Sequence, residues 1–387
     1  MNKVGIDSLS FYTSGYSLDL ALLAQNRGID PDKYLVGLGQ ERMSVNPPDE
    51  DVVTLAANSA KQALIGTDPN DICMLLVATE SGIDQSKALG IWVHNLLGLP
   101  KSCRVIELKQ ACYAGCAALQ LGLSLIHQHP HKKVLVIATD IARYGLKSAG
   151  EPTQGCGAAS FVLSSNPKLI AFEPEHGVYT SHVMDFWRPN YSDTAFVDGK
   201  YSTKIYIESL EECWNSYSKE SKRTFDDHYR FCYHLPFVRM AQKAHERLCK
   251  INGKEAKSED VANSFIYSRQ LGNSYTASLF IGLTSLLEQT QEDLTGKRIG
   301  FFSYGSGCVA EFFSGIVLPG YKKHLHTQHH EAMLASRKPL DMAQYESFFT
   351  FSLPQDGSAY QTTPHNTATF RLAGVKNHER LYEAVKT

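Results

Sequence analysis

The chain has 387 residues, 43% of them hydrophobic, a length that exceeds one ordinary hydrophobic core, so two domains or two packed halves are expected and a single small binding module is excluded. Lys plus Arg number 38 against 40 Asp plus Glu, a formal net charge of -2 that offers no global field to nucleic acid or an anionic membrane. No stretch reaches the roughly 18 apolar residues of a membrane span, and MNKVGIDSLSFY has no signal-like apolar run, so a protein that stays in the cytoplasm is expected.

In chain order, ICMLLVATES (72–81) reads as a short buried strand ending in small polar residues, and QSKALGIWVHNLLG (85–98) as a helix by its apolar spacing. CRVIELK (103–109) is a second strand, Cys112 to Gln128 a helix, KKVLVIATD (132–140) a third strand and AASFVLSSN (158–166) a fourth. Such alternation predicts a parallel sheet covered on both faces. The character changes at Asn166-Pro167, which sets the boundary between an N-terminal half, 1–166, and a C-terminal half, 167–387. Residues 177–227 are aromatic and polar with weak periodicity, and read as a surface elaboration rather than sheet.

The second half repeats the first grammar. YRFCYHLPF (229–237) is a strand and turn, VRMAQKAHERLCK (238–250) and YTASLFIGLTSLLEQ (275–289) are helices, and KRIGFFSYGSG (297–307) and VAEFFSGIVL (309–318) are strands. Two alternating halves suggest an internal structural duplication. The polar, His-rich tail after Tyr321 is expected to wrap the surface.

Nine cysteines at irregular spacing in a long chain argue for a reducing compartment rather than a disulfide framework, so each thiol is judged singly. Cys112 ends a strand–elbow and opens a helix rich in Ala and Gly, where free N–H groups and the helix dipole favour the nucleophilic thiolate; a small core cysteine is the plainer alternative. Cys116, one turn on, lacks the further ligands a zinc site needs and reads as packing. Cys156 and Cys308 are read as packing too. Glu80 ends the apolar run MLLVAT, where burial would raise its pKa toward general acid/base duty; a solvated loop carboxylate is the alternative. His234 follows YRFCY at a strand end before Pro236, and on local grounds reads more readily as a hydrogen-bonded core histidine than as a catalytic one. Asn273 and Tyr275 in GNSY, and Ser306 between Gly305 and Gly307, sit where backbone and amide groups can approach a ligand. HQHPH (127–131) and HLHTQHH (324–330) lie in polar connections without Cys or carboxylate partners at ligand spacing, so no metal is expected.

Taken in order, VATES with Glu80, KQACYAG with Cys112, TDIARYG with Tyr144, GEPTQGCGA with Thr153, DFWRP with Phe186, YHLPF with His234, LGNSYTASL and FSYGSG resemble the 3-hydroxy-3-methylglutaryl-CoA synthase family, in its bacterial mevalonate-pathway branch, over about residues 1 to 325. The resemblance implies a thiolase fold: two duplicated βαβ-type halves in a five-layer αβαβα arrangement, as a homodimer. It implies a cofactor-free condensation of acetyl-CoA with acetoacetyl-CoA and water. Cys112 would then be the acyl acceptor, Glu80 the general acid/base, and His234 the group orienting the acetoacetyl thioester. Tyr144, Thr153, Phe186, Asn273, Tyr275 and Ser306 would line the acyl pocket. CoA is a long anion, and Arg239 and Lys243, four apart on one helix, are candidate phosphate contacts, though a solvated helix face explains them as well.

A polyketide β-branching synthase of the same family acts on a carrier-protein thioester; the continuous RYGLKSAGEPTQG (143–155) favours the CoA-using branch instead. A decarboxylating ketoacyl synthase needs His and Asn donors rather than a carboxylate acid, and Glu80 argues against it. A scaffold without activity has no support while Cys112, Glu80 and His234 are all present.

Overall fold

The computed structural model describes residues 3–192, 194–365 and 367–385. Its sheet strands are β1 (Gly5–Tyr12), β2 (Ile72–Ala78), β3 (Arg104–Leu108), β4 (Lys133–Ala142), β5 (Gly155–Ser164), β6 (Ile170–Thr180), β7 (Arg230–Tyr233), β8 (Arg298–Gly305) and β9 (Val309–Val317). They form one nine-stranded sheet in the order β7-β8-β9-β6-β1-β5-β4-β2-β3. The expectation of a parallel sheet needs correction: only β2 with β3 and β4, and β7 with β8, run parallel. β1–β5, β4–β5, β8–β9, β6–β9 and the short β1–β6 junction are antiparallel. Runs such as ICMLLVA look parallel-like because they are buried on both faces, and burial, not strand direction, is what the pattern records.

The order discloses a duplication. From the junction outward, β1-β5-β4-β2 corresponds to β6-β9-β8-β7, the first strand of each half pairing with its last. Helix α1 (Val52–Ala63) follows β1, and α4 (Gly199–Ser221) follows β6. Helices α2 (Gly90–Leu96) and α3 (Ala114–Gln128) belong to the first half, α5 (Val238–Ile251) and α6 (Ser278–Gln289) to the second. α3 and α6 share one apolar core between the half-sheets, α1 and α2 cover the outer face of the first, and α4 and α5 cover that of the second. Five layers result. Glycine permits the central layer: a Cβ at Gly115 would lie 2.6 Å from the Thr276 carbonyl oxygen and 2.9 Å from the Phe280 ring.

Two stretches differ from their sequence reading. Residues 199–221, inside the expected surface elaboration, are the 23-residue helix α4, whose Tyr206, Leu210, Cys213, Trp214 and Tyr217 are buried against the sheet. Its aromatic side chains form the apolar stripe that aliphatic residues form elsewhere. The tail is not merely a wrapping: it holds α7 (Thr327–Ala335), α8 (Met342–Thr350) and the paired strands β10 (Phe370–Lys376) and β11 (Glu379–Ala384). His330 on α7 is fully buried, taking the Phe11 N–H at Nε2 (3.2 Å) and meeting Glu288 through Nδ1 (2.9 Å). Among the described residues no helix is long and apolar enough to cross a membrane, and no group of three or more His, Cys, Asp or Glu could hold a metal ion.

The tail also closes over two adjacent buried acids. Glu50 accepts from Tyr12 Oη (3.0 Å) and Thr367 Oγ1 (2.6 Å), while Asp49 accepts the His365 N–H (2.9 Å) and faces Arg371 (3.4 Å). Burial, with the Asp49 charge adding to it, pushes Glu50 from an ordinary 4.5 up to about 7. The folded protein thus holds this proton more tightly than the unfolded chain, so stability falls as pH rises from about 4.5 through 7. Glu50→Gln is expected to raise the melting temperature by several degrees at pH 8 and by little at pH 5; equal shifts at both pH values would contradict the assignment.

Candidate active site

The strand β3 ends before Lys109, and the chain turns through Gln110 and Ala111 into α3. Ala111 adopts φ 44°, a left-handed conformation that costs a non-glycine residue about 1–3 kcal/mol. Close packing holds it: a Cβ at Gly305 would meet the Gln110 carbonyl oxygen at 2.5 Å and Tyr113 at 2.6 Å, so only glycine lets the end of β8 approach the elbow. Tyr113 Oη, Cys116 Sγ and Gln120 Nε2 all donate to the buried Glu311 carboxylate of β9, at 2.7, 3.3 and 2.7 Å. The second half thereby grips the first turns of α3.

Cys112 lies in this elbow, two residues before the first residue of α3, rather than opening the helix. Its Sγ donates to Glu80 Oε1 at 2.9 Å. The expected thiolate is not favoured: burial, then the charge and hydrogen bond of Glu80, then Asp140, push the thiol well above its usual range. Burial also raises Glu80, to about 8, with Asp140 adding to the shift and the Cys112 hydrogen bond and Arg188 opposing it. Two groups that would carry negative charge sit in contact where water screens poorly, so their neutral forms are preferred and a proton can pass directly between them.

Asp140, near the end of β4, fixes Glu80 and was not singled out from the sequence. Its Oδ1 accepts from Thr79 Oγ1, the N–H groups of Glu80 and Ser81, and Ser81 Oγ at 2.8–2.9 Å. Its Oδ2 accepts from the N–H and Oγ1 of Thr276 at 3.0 and 2.5 Å. Asp185 of DFWRP was likewise missed: fully buried, it accepts from Tyr304 Oη (2.5 Å), Ser202 Oγ (3.2 Å) and the Gly307 N–H (2.9 Å). In both cases the signal available was an acid at the end of an apolar strand or within a motif, a position where burial demands several donors.

The remaining expected residues fall into groups. The rings of Tyr144, Phe186 and Tyr275 form a triangle with centroids 5.9–6.1 Å apart. The Tyr144 and Tyr275 phenols, both raised chiefly by burial, lie in the field of Cys112 and Glu80. Asn273 Nδ2 donates to Tyr144 Oη (3.2 Å), and its N–H donates to the Thr153 carbonyl (3.2 Å). Gln110 Nε2 donates to the Ser306 carbonyl oxygen at 3.3 Å, tying the FSYGSG turn to the elbow. His234 is buried, and burial lowers it to about 3, so the ring is neutral. Its Nδ1 meets Ser278 Oγ at 2.7 Å, and that oxygen also accepts the Leu235 N–H at 3.1 Å. When Ser278 gives its own proton to Nδ1, Nε2 keeps the ring hydrogen as a donor.

A cavity of about 1050 Å3 opens beside Glu80, with Lys87, Lys109, Arg143 and Arg188 in its wall. Arg239 and Lys243 do not line it. The Arg239 guanidinium is held by Gln242 (3.3 Å) and Glu246 (3.2 Å), and Lys243 is exposed on the same helix.

Paired half-sheets about a central helix pair, with a cysteine elbow facing a carboxylate, are the architecture of the thiolase-fold class of enzymes. The family models for hydroxymethylglutaryl-coenzyme A synthase match the chain, the N-terminal model over residues 1–168 and the C-terminal model over 170–263 and 249–349. The hydroxymethylglutaryl-CoA synthase of Enterococcus faecalis is 41% identical over 384 residues, covering 98% of this chain and 99% of that protein. A crystal structure of HMG-CoA synthase complexed with CoA superposes with a TM-score of 0.95 at 40% identity, over 99% of this chain and 100% of that one. A polyketide biosynthesis 3-hydroxy-3-methylglutaryl-ACP synthase of Bacillus subtilis is 34% identical, covering 90% of this chain and 88% of its own. The chain belongs to the hydroxymethylglutaryl-CoA synthase family.

Removing Glu80 takes away both its charge and its hydrogen bond from the thiol. Glu80→Ala is therefore expected to speed alkylation of Cys112 by iodoacetamide at pH 7.5 by about tenfold, the change for one pK unit. An unchanged or slower rate would show that the carboxylate does not hold the thiol protonated.

Proposed function

We infer that the chain condenses acetyl-CoA with acetoacetyl-CoA and water to give 3-hydroxy-3-methylglutaryl-CoA and CoA, through an acetyl-Cys112 intermediate. The 2.9 Å contact between Cys112 Sγ and Glu80 carries this reading. Acylation forms an S–C bond to the acetyl carbon and breaks the CoA thioester; the thiol proton ends on the departing CoA sulfur. Ionised Glu80 then takes a proton from the acetyl methyl, and the resulting enolate carbon attacks the ketone carbon of acetoacetyl-CoA. The C3 alkoxide takes a proton from Glu80, whose pKa near 8 suits both exchanges. Water finally cleaves the acyl-cysteine, restoring the thiol and leaving a carboxylate on the product.

Neutral donors serve this chemistry better than cations, because they stabilise a developing oxyanion without a buried charge of their own to desolvate. His234 is assigned to the thioester oxygen of the second substrate in that role. Tyr144, Thr153, Phe186, Asn273, Tyr275 and Ser306 are assigned to the acyl pocket, and Arg239 and Lys243 to the CoA phosphates, for which Arg239 would have to exchange Glu246 for phosphate. Residues 1–166 would contribute Glu80 and Cys112, and 167–387 His234. Nine unpaired cysteines suit a reducing cytoplasm. The working form proposed is a homodimer, with the outer edge of β3 and its exposed Ile106 as a surface it would cover.

The second reading, condensation on a carrier-protein thioester, has the 34% identical polyketide-pathway relative in its favour. Turnover on acetoacetyl-CoA is expected to exceed that on an acetoacetyl-carrier protein by at least about tenfold in kcat/KM, a difference near 1.4 kcal/mol; the reverse preference would select the second reading. Glu80→Ala is expected to accumulate acetyl-Cys112 without forming product, and condensation at a near wild-type rate would remove Glu80 from the mechanism.

A further inference from the structure

The tail helix α8 begins at a capping box, in which Asp341 accepts the Gln344 N–H at 2.8 Å. Its next residue, Tyr345, is 1% exposed and points inward. The phenol donates to Glu151 Oε1 at 3.1 Å and accepts from Gln154 Nε2 at 2.9 Å. Gln154 Oε1 in turn accepts the backbone N–H of Tyr144 at 2.8 Å. Glu151 is clamped by Arg27 through Nε and Nη2 at 2.9 and 2.8 Å, and its other oxygen also accepts the Lys147 N–H at 2.9 Å. Every amide and hydroxyl in this relay has a partner, and the whole runs from the C-terminal tail to Tyr144, whose phenol lies in the field of Cys112 and Glu80.

The relay is more than local glue, because its far end is the loop that carries Tyr144. Residues 143–154 contain no sheet or α-helix after β4, only the short turn of helix at Glu151–Thr153. Besides the Asn273 N–H on the Thr153 carbonyl, side chains place them: Gln154 on the Tyr144 backbone, Asn273 on the Tyr144 phenol, and Arg143 donating to the Phe349 carbonyl of α8. We propose that Tyr345 is a positioning residue for Tyr144, so that the C-terminal segment beyond the sheet is a working part of the acyl pocket. This rests on the reading of Tyr144 as a pocket residue. Without the Tyr345 hydroxyl, Gln154 loses an acceptor and is free to turn, releasing the Tyr144 N–H.

Tyr345→Phe keeps the buried ring and removes only the hydroxyl. The expected result in the full-length protein is a kcat lowered about tenfold with KM for acetyl-CoA changed less than about threefold, and a melting temperature within a few degrees of wild type. Gln154→Met, which breaks the same link from the other side, should reproduce that split, and keeps the test open if Tyr345→Phe fails to fold. The decisive comparison is a double-mutant cycle with Tyr144→Phe. Tyr345→Phe should cost less than about twofold in that background, because its target is already gone; a full tenfold loss in both backgrounds would overturn the proposal and leave Tyr345 a structural residue. Wild-type turnover tests the condensation reading separately. If wild type forms no product, that reading fails, and the same cycle is read on the alkylation rate of Cys112, where additivity again overturns the positioning role and non-additivity supports it.

Discussion

The site depends on one buried carboxylate being fully occupied. Asp140 lies on a strand of the first half and is 0% exposed, a setting in which an ionised acid survives only if its oxygens are saturated with donors. One oxygen gathers Thr79, Glu80 and Ser81 at the end of β2, and the other gathers Thr276, ahead of the central helix α6. The two halves of the molecule are pinned together there, and Glu80 and the Asn273–Tyr275 turn are fixed relative to each other as a consequence. Breaking either side would leave donors or a charge unpaired in the core.

The same burial governs the chemistry. Cys112, Glu80 and Asp140 are three acidic groups in close succession, and the low-dielectric setting lets only a limited negative charge reside there. Glu80 and Cys112 therefore hold their protons near neutral pH, and a proton can be exchanged between them without crossing solvent. His234, depressed to about 3, contributes a dipole rather than a charge. The strained residues Ala111 and Tyr275, both at φ 44°, lie beside Cys112 and within the aromatic triangle. Packing from Gly305 and the Glu311 grip on α3 hold the first of them where an unsupported chain would relax.

Much of this was legible in the residues. Apolar runs such as ICMLLVA and KVLVIA declared their strands because both faces are buried, and KQACYAG declared an elbow because small residues must follow a side chain that is wedged between layers. Strand direction was not legible, since a doubly buried strand has the same composition whichever way it runs. Helix α4 escaped because its buried face is built from Tyr and Trp, whose polar edges dilute the periodicity. Asp140, Asp185 and Glu311 escaped for a common reason: each is defined by donors 17 to 198 residues away, and no local pattern announces a saturated acid. The position of Cys112 near a helix start suggests an acidic thiol, but burial, with the contacting Glu80 carboxylate adding to it, outweighs a helix dipole worth about 0.3–1 kcal/mol. The tail was read as covering because its polarity suggests solvent, whereas His330, Arg337 and Tyr345 are buried polar groups with partners in the body of the fold.

The central claim is that Cys112 carries the acetyl group between the two substrates. Purified protein incubated with acetyl-CoA alone, followed by intact-mass and peptide analysis beside a Cys112→Ser control, tests it directly. The account predicts one acetyl group on the Cys112 peptide, absent from the control and discharged by acetoacetyl-CoA with formation of 3-hydroxy-3-methylglutaryl-CoA. An unmodified Cys112 peptide in the presence of acetyl-CoA would contradict it.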